Sequence, residues 1–135
     1  MDLKSIFEKN KNIAVVGFSD KSYRDSFNIA RYLKSKGFNV FGVNPRLKGM
    51  NIEGIQCYEK LEDIPEDIHI VNVFRNPECL VDLVNEVSKL KKKPNVIWTQ
   101  LEVINPEAKK IAEERDFIYI ENKCIFVEHR NISLN

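Results

Sequence analysis

The chain's 135 residues suffice for one domain with one real core and leave little room for a second. Hydrophobic residues make up 43% and charged residues 30%, the balance of an ordinary soluble globular protein, and apolar runs such as Ile13 to Val16 are too short to cross a bilayer. Net charge is only +1, yet residues 1–50 hold ten Lys/Arg against four Asp/Glu, while residues 51–135 hold eleven against sixteen. That basic first part suits a small anionic ligand better than bulk nucleic acid; the plain alternative is lysines on solvated helix faces.

Met1 to Asn12 reads as a charged, helix-like lead-in without the apolar run of a secretory signal. Asn12–Val16 is a short apolar run ending at Gly17, the pattern of a buried strand. Ser26–Lys36 follows as a helix with Ile29, Ala30 and Leu33 on one stripe and Gly37 as its stop. Phe38–Val43 is a second strand, Ile55–Tyr58 a short third one, and Lys60–Asp63 a helical turn halted near Pro65. His69–Phe74 is a strand. Asn76-Pro77-Glu78 then supplies a cap, a proline at the first helical position and an acid near the positive end of the next helix. That helix carries Leu80, Leu83, Val84, Val87 and Leu90, and Lys91–Lys93 before Pro94 marks its end. Asn95–Thr99 is a strand, and Asn105-Pro106-Glu107 starts a helix reaching about Arg115. Phe117–Ile120 and Cys124–Val127 close the chain as strands.

Strands alternating with helices predict right-handed βαβ units in a single-domain α/β fold, residues 1–135, with a doubly wound and mostly parallel sheet. Ligands of such sheets bind beyond the carboxyl ends of the strands, at the topological switch point. The informative loops are therefore 17–25, 44–49, 75–77 and 100–105.

In the first loop, Gly17 lets backbone approach a phosphate, Ser19, Ser22 and Ser26 add hydroxyls, Arg24 adds charge, and the next helix offers free N–H groups. The plain alternative is a βα turn capped by Asp25 or Ser26. The G-x-G-x-x-G dinucleotide fingerprint is not met, since only Gly17 is present. Nor does an acid end the second strand, where Val43-Asn44-Pro45-Arg46 stands with Lys48 just beyond. These features disfavour NAD and leave NADP or coenzyme A, because an arginine there suits a ribose carrying its own phosphate. Arg46 and Lys48 equally fit a solvated turn. In Val73-Phe74-Arg75-Asn76-Pro77, Phe74 either covers an adenine or pantetheine arm or is simply core, and Arg75 either meets a pyrophosphate or is a surface charge.

Seven motifs, in order over roughly residues 10 to 130, resemble those of the small stand-alone CoA-binding proteins, which share the CoA-binding domain of the succinyl-CoA synthetase alpha subunit. They are Val15-Val16-Gly17-Phe18-Ser19, Arg24-Asp25-Ser26, Val43-Asn44-Pro45, Asp63-Ile64-Pro65, Val73-Phe74-Arg75-Asn76-Pro77, Trp98-Thr99-Gln100, and Cys124-Ile125 through Glu128-His129. The resemblance implies a Rossmann-like sheet with coenzyme A as the ligand. It implies that the first loop, with Gly17, Phe18, Ser19, Arg24, Asp25 and Ser26, holds the CoA pyrophosphate. Val43, Asn44, Pro45 and Arg46 then lie beside the adenosine, and Val73, Phe74, Arg75 and Pro77 line the opposite wall. Glu102 and Asp116 stand where the family usually has glycine, and Lys123 replaces a common arginine.

Cys57, Cys79 and Cys124 are odd in number and widely spaced, which argues against a disulfide framework or CxxC metal knuckle and for a reducing cytoplasm. Cys124 reads as a small buried residue on a strand, with disulfide exchange toward CoA as the alternative. His69 reads as structural. On a strand, Glu128 and His129 would point to opposite faces and could not act as one acid–base couple. No Ser–His–acid order, metal-ligand cluster or P-loop lysine is visible. The expectation is thus a cytoplasmic binding protein for CoA or an acyl-CoA, with neither nucleic acid nor membrane as partner and with an unspecified protein partner left open. An NADP- or FMN-dependent small oxidoreductase module is the alternative.

Overall fold

The computed structural model describes residues 2–133; Met1, the start of the expected lead-in, and residues 134–135 lie outside them. Helix α1 (Leu3–Lys9) opens the chain, capped by Asp2, whose Oδ1 accepts from the Ser5 N–H at 2.8 Å. Then follow β1 (Asn12–Val16), α2 (Asp25–Ser35), β2 (Asn39–Val43), β3 (Asn51–Ile52), β4 (Ile55–Tyr58) and β5 (Ile70–Val73). The chain continues through α3 (Leu80–Ser88), β6 (Val96–Thr99), α4 (Pro106–Glu114), β7 (Ile118–Ile120) and α5 (Ile125–Ser133). Short 3-10 turns at Pro45–Leu47, Leu61–Asp63 and Pro77–Cys79 join some of these elements.

The strands form one sheet in the order β3-β4-β2-β1-β5-β6-β7, parallel throughout except for the antiparallel β3–β4 pair. Being central and covered on both faces, β1 is apolar from Ile13 to Val16, and alternation divides these side chains between two cores. Ile13 and Val15 face one core with Phe7 of α1, Phe27 and Leu33 of α2, and Ile125 of α5. Ala14 and Val16 face the other, with Leu80, Leu83, Val84 and Val87 of α3 and Ala108 and Ala112 of α4. The chain runs outward one way from β1 through β2 and β4, then returns to start the other half at β5. The switch point thus lies between the carboxyl ends of β1 and β5.

Two departures from the sequence reading matter. Cys124–Val127 is not a strand; Ile125–Ser133 is helix α5. A four-residue apolar run fits either element by periodicity. The decisive spacing is Ile125, His129 and Ile132, one helical face; His129 packs on Phe7 of α1 and Tyr32 of α2, with Phe38 just before β2. Glu128 and His129 accordingly lie on neighbouring positions of a helix, not on opposite faces of a strand. The second departure is the β3–β4 hairpin, closed by Glu53 and Gly54 with φ of 51° and 90°. Both signs suit a tight two-residue hairpin turn, and Asn51 Oδ1 accepts from the Gly54 N–H at 2.8 Å.

Candidate functional site

At the switch point the strand ends are laced by backbone bonds. The Gly17 N–H donates to the Val43 carbonyl at 3.0 Å, and the Phe74 N–H donates to the Val16 carbonyl at 2.8 Å. Gly17 has φ +86°, and a Cβ there would collide with the Phe74 carbonyl oxygen. Glycine is therefore required by both conformation and space, and its bareness brings the loop backbone down onto β5.

The loop after Gly17 is ordered by its own polar groups. Ser26 Oγ accepts from the Ser19 N–H at 3.0 Å, Ser19 Oγ accepts from the Lys21 N–H at 3.0 Å, and Asn28 Nδ2 donates to the carbonyls of Ser22 and Arg24. Asn44 ties this loop to the end of β2: its Nδ2 donates to the Phe18 carbonyl at 2.9 Å and its Oδ1 accepts from the Arg46 N–H at 3.0 Å. Arg24 occupies the cap position of α2, and no side chain caps that helix. The leading N–H groups and positive end of α2 therefore face outward at this point.

The result is a cleft of about 460 Å³ walled by Gly17, Ser19, Arg24, Asp25, Ser26, Asn44, Arg46 and Phe74. Eight of the residues expected from the sequence come together there. The side chains of Phe18, Val43 and Val73 are buried in the cores instead. Phe18 packs beneath Gly42, so only its backbone belongs to the loop. Pro45 and Pro77 start 3-10 turns outside the cleft wall, and Arg75 lies beyond Phe74 on the wall of an adjoining cleft. Tyr23 was not anticipated: it lines the cleft, is 75% exposed, and has the Arg24 guanidinium 5.6 Å from its ring centre. A large aromatic in an otherwise polar, charged loop was the available signal.

The cleft is cationic in a specific way. Lys48 is paired with Glu59 at 3.5 Å and Arg31 with Glu53 at 3.3 Å, whereas among the described residues Arg24 and Arg46 make no ion pair. Neither histidine reaches the cleft. His69 Nδ1 accepts from the Asn12 N–H at 3.1 Å. His129 Nδ1 lies 2.7 Å from the Tyr32 hydroxyl, with the Phe7 and Phe38 rings edge-on. Burial first, then Lys36 and Lys11, holds its pKa below the ordinary imidazole value.

The adjoining cleft, of about 320 Å³, shares Asp25 and Phe74 with the first and extends to Gln100 and Cys124 at the end of β6. Its floor is held in place by Trp98 Nε1, which donates to the Lys123 carbonyl at 2.8 Å, and by Asn122 Oδ1, which accepts from the Glu102 N–H at 2.7 Å. Asn72, a polar residue in the otherwise apolar strand Ile70–Val73, is fully buried and bonded to Gln100. Its break in the apolar run was legible in the sequence but was not read as a site signal.

The chain is similar to known proteins in structure and in sequence. A structure titled cell-free ID.343 from Thermus thermophilus superposes with a TM-score of 0.91 at 32% identity, covering 98% of this chain and 99% of that one. The uncharacterized protein YneT of Bacillus subtilis (strain 168) is 33% identical over 128 residues, 95% of this chain and 92% of its own length. An acetate–CoA ligase (ADP-forming) of Methanocaldococcus jannaschii is 27% identical over 131 residues; these cover 93% of this chain but 18% of the ligase. The family described as CoA binding domain matches residues 11–130, nearly the whole of the sheet and both clefts, and the chain belongs to that family.

Proposed function

We propose that this protein binds coenzyme A, or an acyl-CoA, across the carboxyl ends of β1, β2 and β5, as a binding protein rather than a catalyst. The observation that carries the reading is the pair Arg24 and Arg46. Both are exposed and free of ion pairs among the described residues, and they flank the uncapped N-terminus of α2 across one cleft. A pyrophosphate at Gly17–Ser26 takes backbone N–H groups, serine hydroxyls and the helix's positive end, interactions that need no conserved chemistry beyond anion binding. The ribose phosphate of the adenosine then meets Arg46, and the face of Phe74 lies between the nucleotide and the arm. The family description and the name of the ligase relative both point to CoA. A binding role fits the engagement of His69 and His129 in structural bonds away from the cleft.

Isothermal titration with CoA, NADP, NAD and FMN tests the reading. CoA is expected to bind with micromolar-range affinity, about −8 kcal/mol, and NAD much more weakly. NAD binding equal to or tighter than CoA binding overturns it, and a flavin spectrum on the purified protein replaces it with the FMN alternative.

A further inference from the structure

We infer that Tyr23 is a base-stacking residue that makes the first cleft select ligands carrying a nucleotide base, an assignment that rests on the CoA reading above. Tyr23 is the most exposed large hydrophobic residue among those described, and it lines the cleft, yet its backbone is tightly held. The Arg24 N–H donates to the Lys21 carbonyl at 3.0 Å, which closes a tight turn with Tyr23 at its third position. Asn28 Nδ2 donates to the Ser22 carbonyl at 2.9 Å and to the Arg24 carbonyl at 3.1 Å, so the carbonyls on either side of Tyr23 are both anchored to α2. These bonds fix the chain around the ring without burying the ring. Little is gained within the folded chain by holding an aromatic out in water. A ring held in place before the ligand arrives, however, loses little freedom on binding.

The surroundings of the ring point to a planar partner. Of the two aromatic residues that wall the cleft, Phe74 packs against the core, and Tyr23 is the one with an open ring. The Arg24 guanidinium lies over Tyr23, 5.6 Å from the ring centre. That cation steadies one face and leaves the other to a flat, polarisable group. Among the described residues no second aromatic ring packs on Tyr23. Arg46 lines the same cleft. A ribose whose phosphate meets Arg46 carries its base on the next bond, so the base stays within reach of this cleft. Arg24, Arg46 and the start of α2 read charge, which any phosphate supplies. Tyr23 adds the contact that a phosphate without a base cannot use. Stacking needs only a π face and tolerates any base, so Tyr23 reads that a base is present and not which base it is.

The test titrates the wild-type protein, Tyr23→Ala, Tyr23→Phe and Tyr23→Trp with CoA and with adenosine 3′,5′-bisphosphate. Tyr23→Ala should weaken both ligands by about tenfold, since both carry the base. Tyr23→Phe should keep the wild-type affinity, because stacking uses the ring and not the hydroxyl. Tyr23→Trp should bind both ligands and lose indole emission as the base covers it; the wild type, whose Trp98 is buried in the core, is the control. Unchanged CoA affinity in Tyr23→Ala overturns the inference and leaves the CoA reading intact. A loss confined to CoA also overturns it, since Tyr23 then touches the arm and not the base. Tyr23→Phe as weak as Tyr23→Ala overturns it as well, by making the hydroxyl the contact. Failure of the wild type to bind CoA at all overturns the CoA reading, and this inference with it.

Discussion

The Ser19 N–H donates to Ser26 Oγ at 3.0 Å, and this one bond closes the loop after β1 onto the first turn of α2. The chain from Ser19 to Ser26 is thereby held as a small ring, with the uncapped helix start inside the cleft wall. A phosphate site built from backbone N–H groups depends on such closure, because an open loop would have to be ordered at the moment of binding.

Ser26→Ala should therefore act twice. Ser26 is nearly buried, so its loss leaves the Ser19 N–H short of an acceptor and costs about 1–2 kcal/mol of stability. CoA affinity should fall as well, since Ser26 also contributes a hydroxyl to the wall. Thermal melting and titration on the same preparation check both effects. Unchanged affinity with lowered stability would separate the loop's structural role from ligand contact.

Gly17→Ala is the harsher change. An alanine must adopt a left-handed conformation while its methyl meets the Phe74 carbonyl oxygen, and the backbone bonds to Val43 and from Phe74 prevent the loop from backing away. The left-handed conformation alone costs about 1–2 kcal/mol for a side-chain residue. The collision adds to it, so a drop of several degrees in melting temperature is expected, with loss of CoA binding.

The sheet was legible from residues such as Ile13–Val16 and Val96–Trp98, because strands buried on both faces leave an unbroken apolar trace. The first cleft was legible because Gly17, the serines and Arg24 carry their chemistry locally. What was not legible depended on distant partners. The run from Cys124 took its helical form from α1 and α2, whose Phe7 and Tyr32 pack against His129. The Glu53-Gly54 turn lacks the Asn-Gly or Asp-Gly signature of tight hairpins. That the Asn44 amide ties the Phe18 carbonyl to the Arg46 N–H, only the folded loops could show.

Asp116 and Glu102, which the sequence marked as departures from glycine, both sit at φ +66°. Asp116 follows the end of α4, where a left-handed residue terminates the helix and glycine is favoured. Asp116→Gly should raise stability by about 0.5–1 kcal/mol, the relieved strain being partly offset by glycine's larger unfolded-state entropy. An increase in melting temperature without a change in CoA affinity is the expected result; a decrease would mean that the aspartate side chain stabilises the turn by more than its backbone strains it.

His129 gives the fold a dependence on acidity. Its pKa in the folded chain lies below the ordinary imidazole value of 6.5, chiefly through burial and then through Lys36 and Lys11. The unfolded chain thus binds the proton more readily than the native one. The stabilisation is fully present above pH 6.5 and is lost as pH falls below that value toward the folded pKa. Chemical denaturation of the protein and of His129→Asn between pH 7.5 and 5.5 should show a shallower loss of stability in the variant. Parallel curves would mean that His129 titrates alike in both states.

Arg46 decides how the adenosine end is read. CoA differs from dephospho-CoA by one phosphate on the ribose, and the loop after β2 is where a Rossmann-like sheet meets that ribose. Lys48, the other cation there, is engaged by Glu59 at 3.5 Å, while Arg46 is held by its backbone bond to Asn44 with its guanidinium free of ion pairs among the described residues. A hydrogen bond to a charged group contributes about 1.5–3 kcal/mol, and an exposed loop favours the lower end. Arg46→Ala should weaken CoA by about tenfold and leave dephospho-CoA almost unchanged. The difference should shrink as salt rises, because exposed charges are screened. Titration of both ligands against both proteins at two ionic strengths provides the measurement. Equal losses for the two ligands would move the ribose phosphate away from Arg46, with Arg24, the remaining unpaired cation of the cleft, next in line.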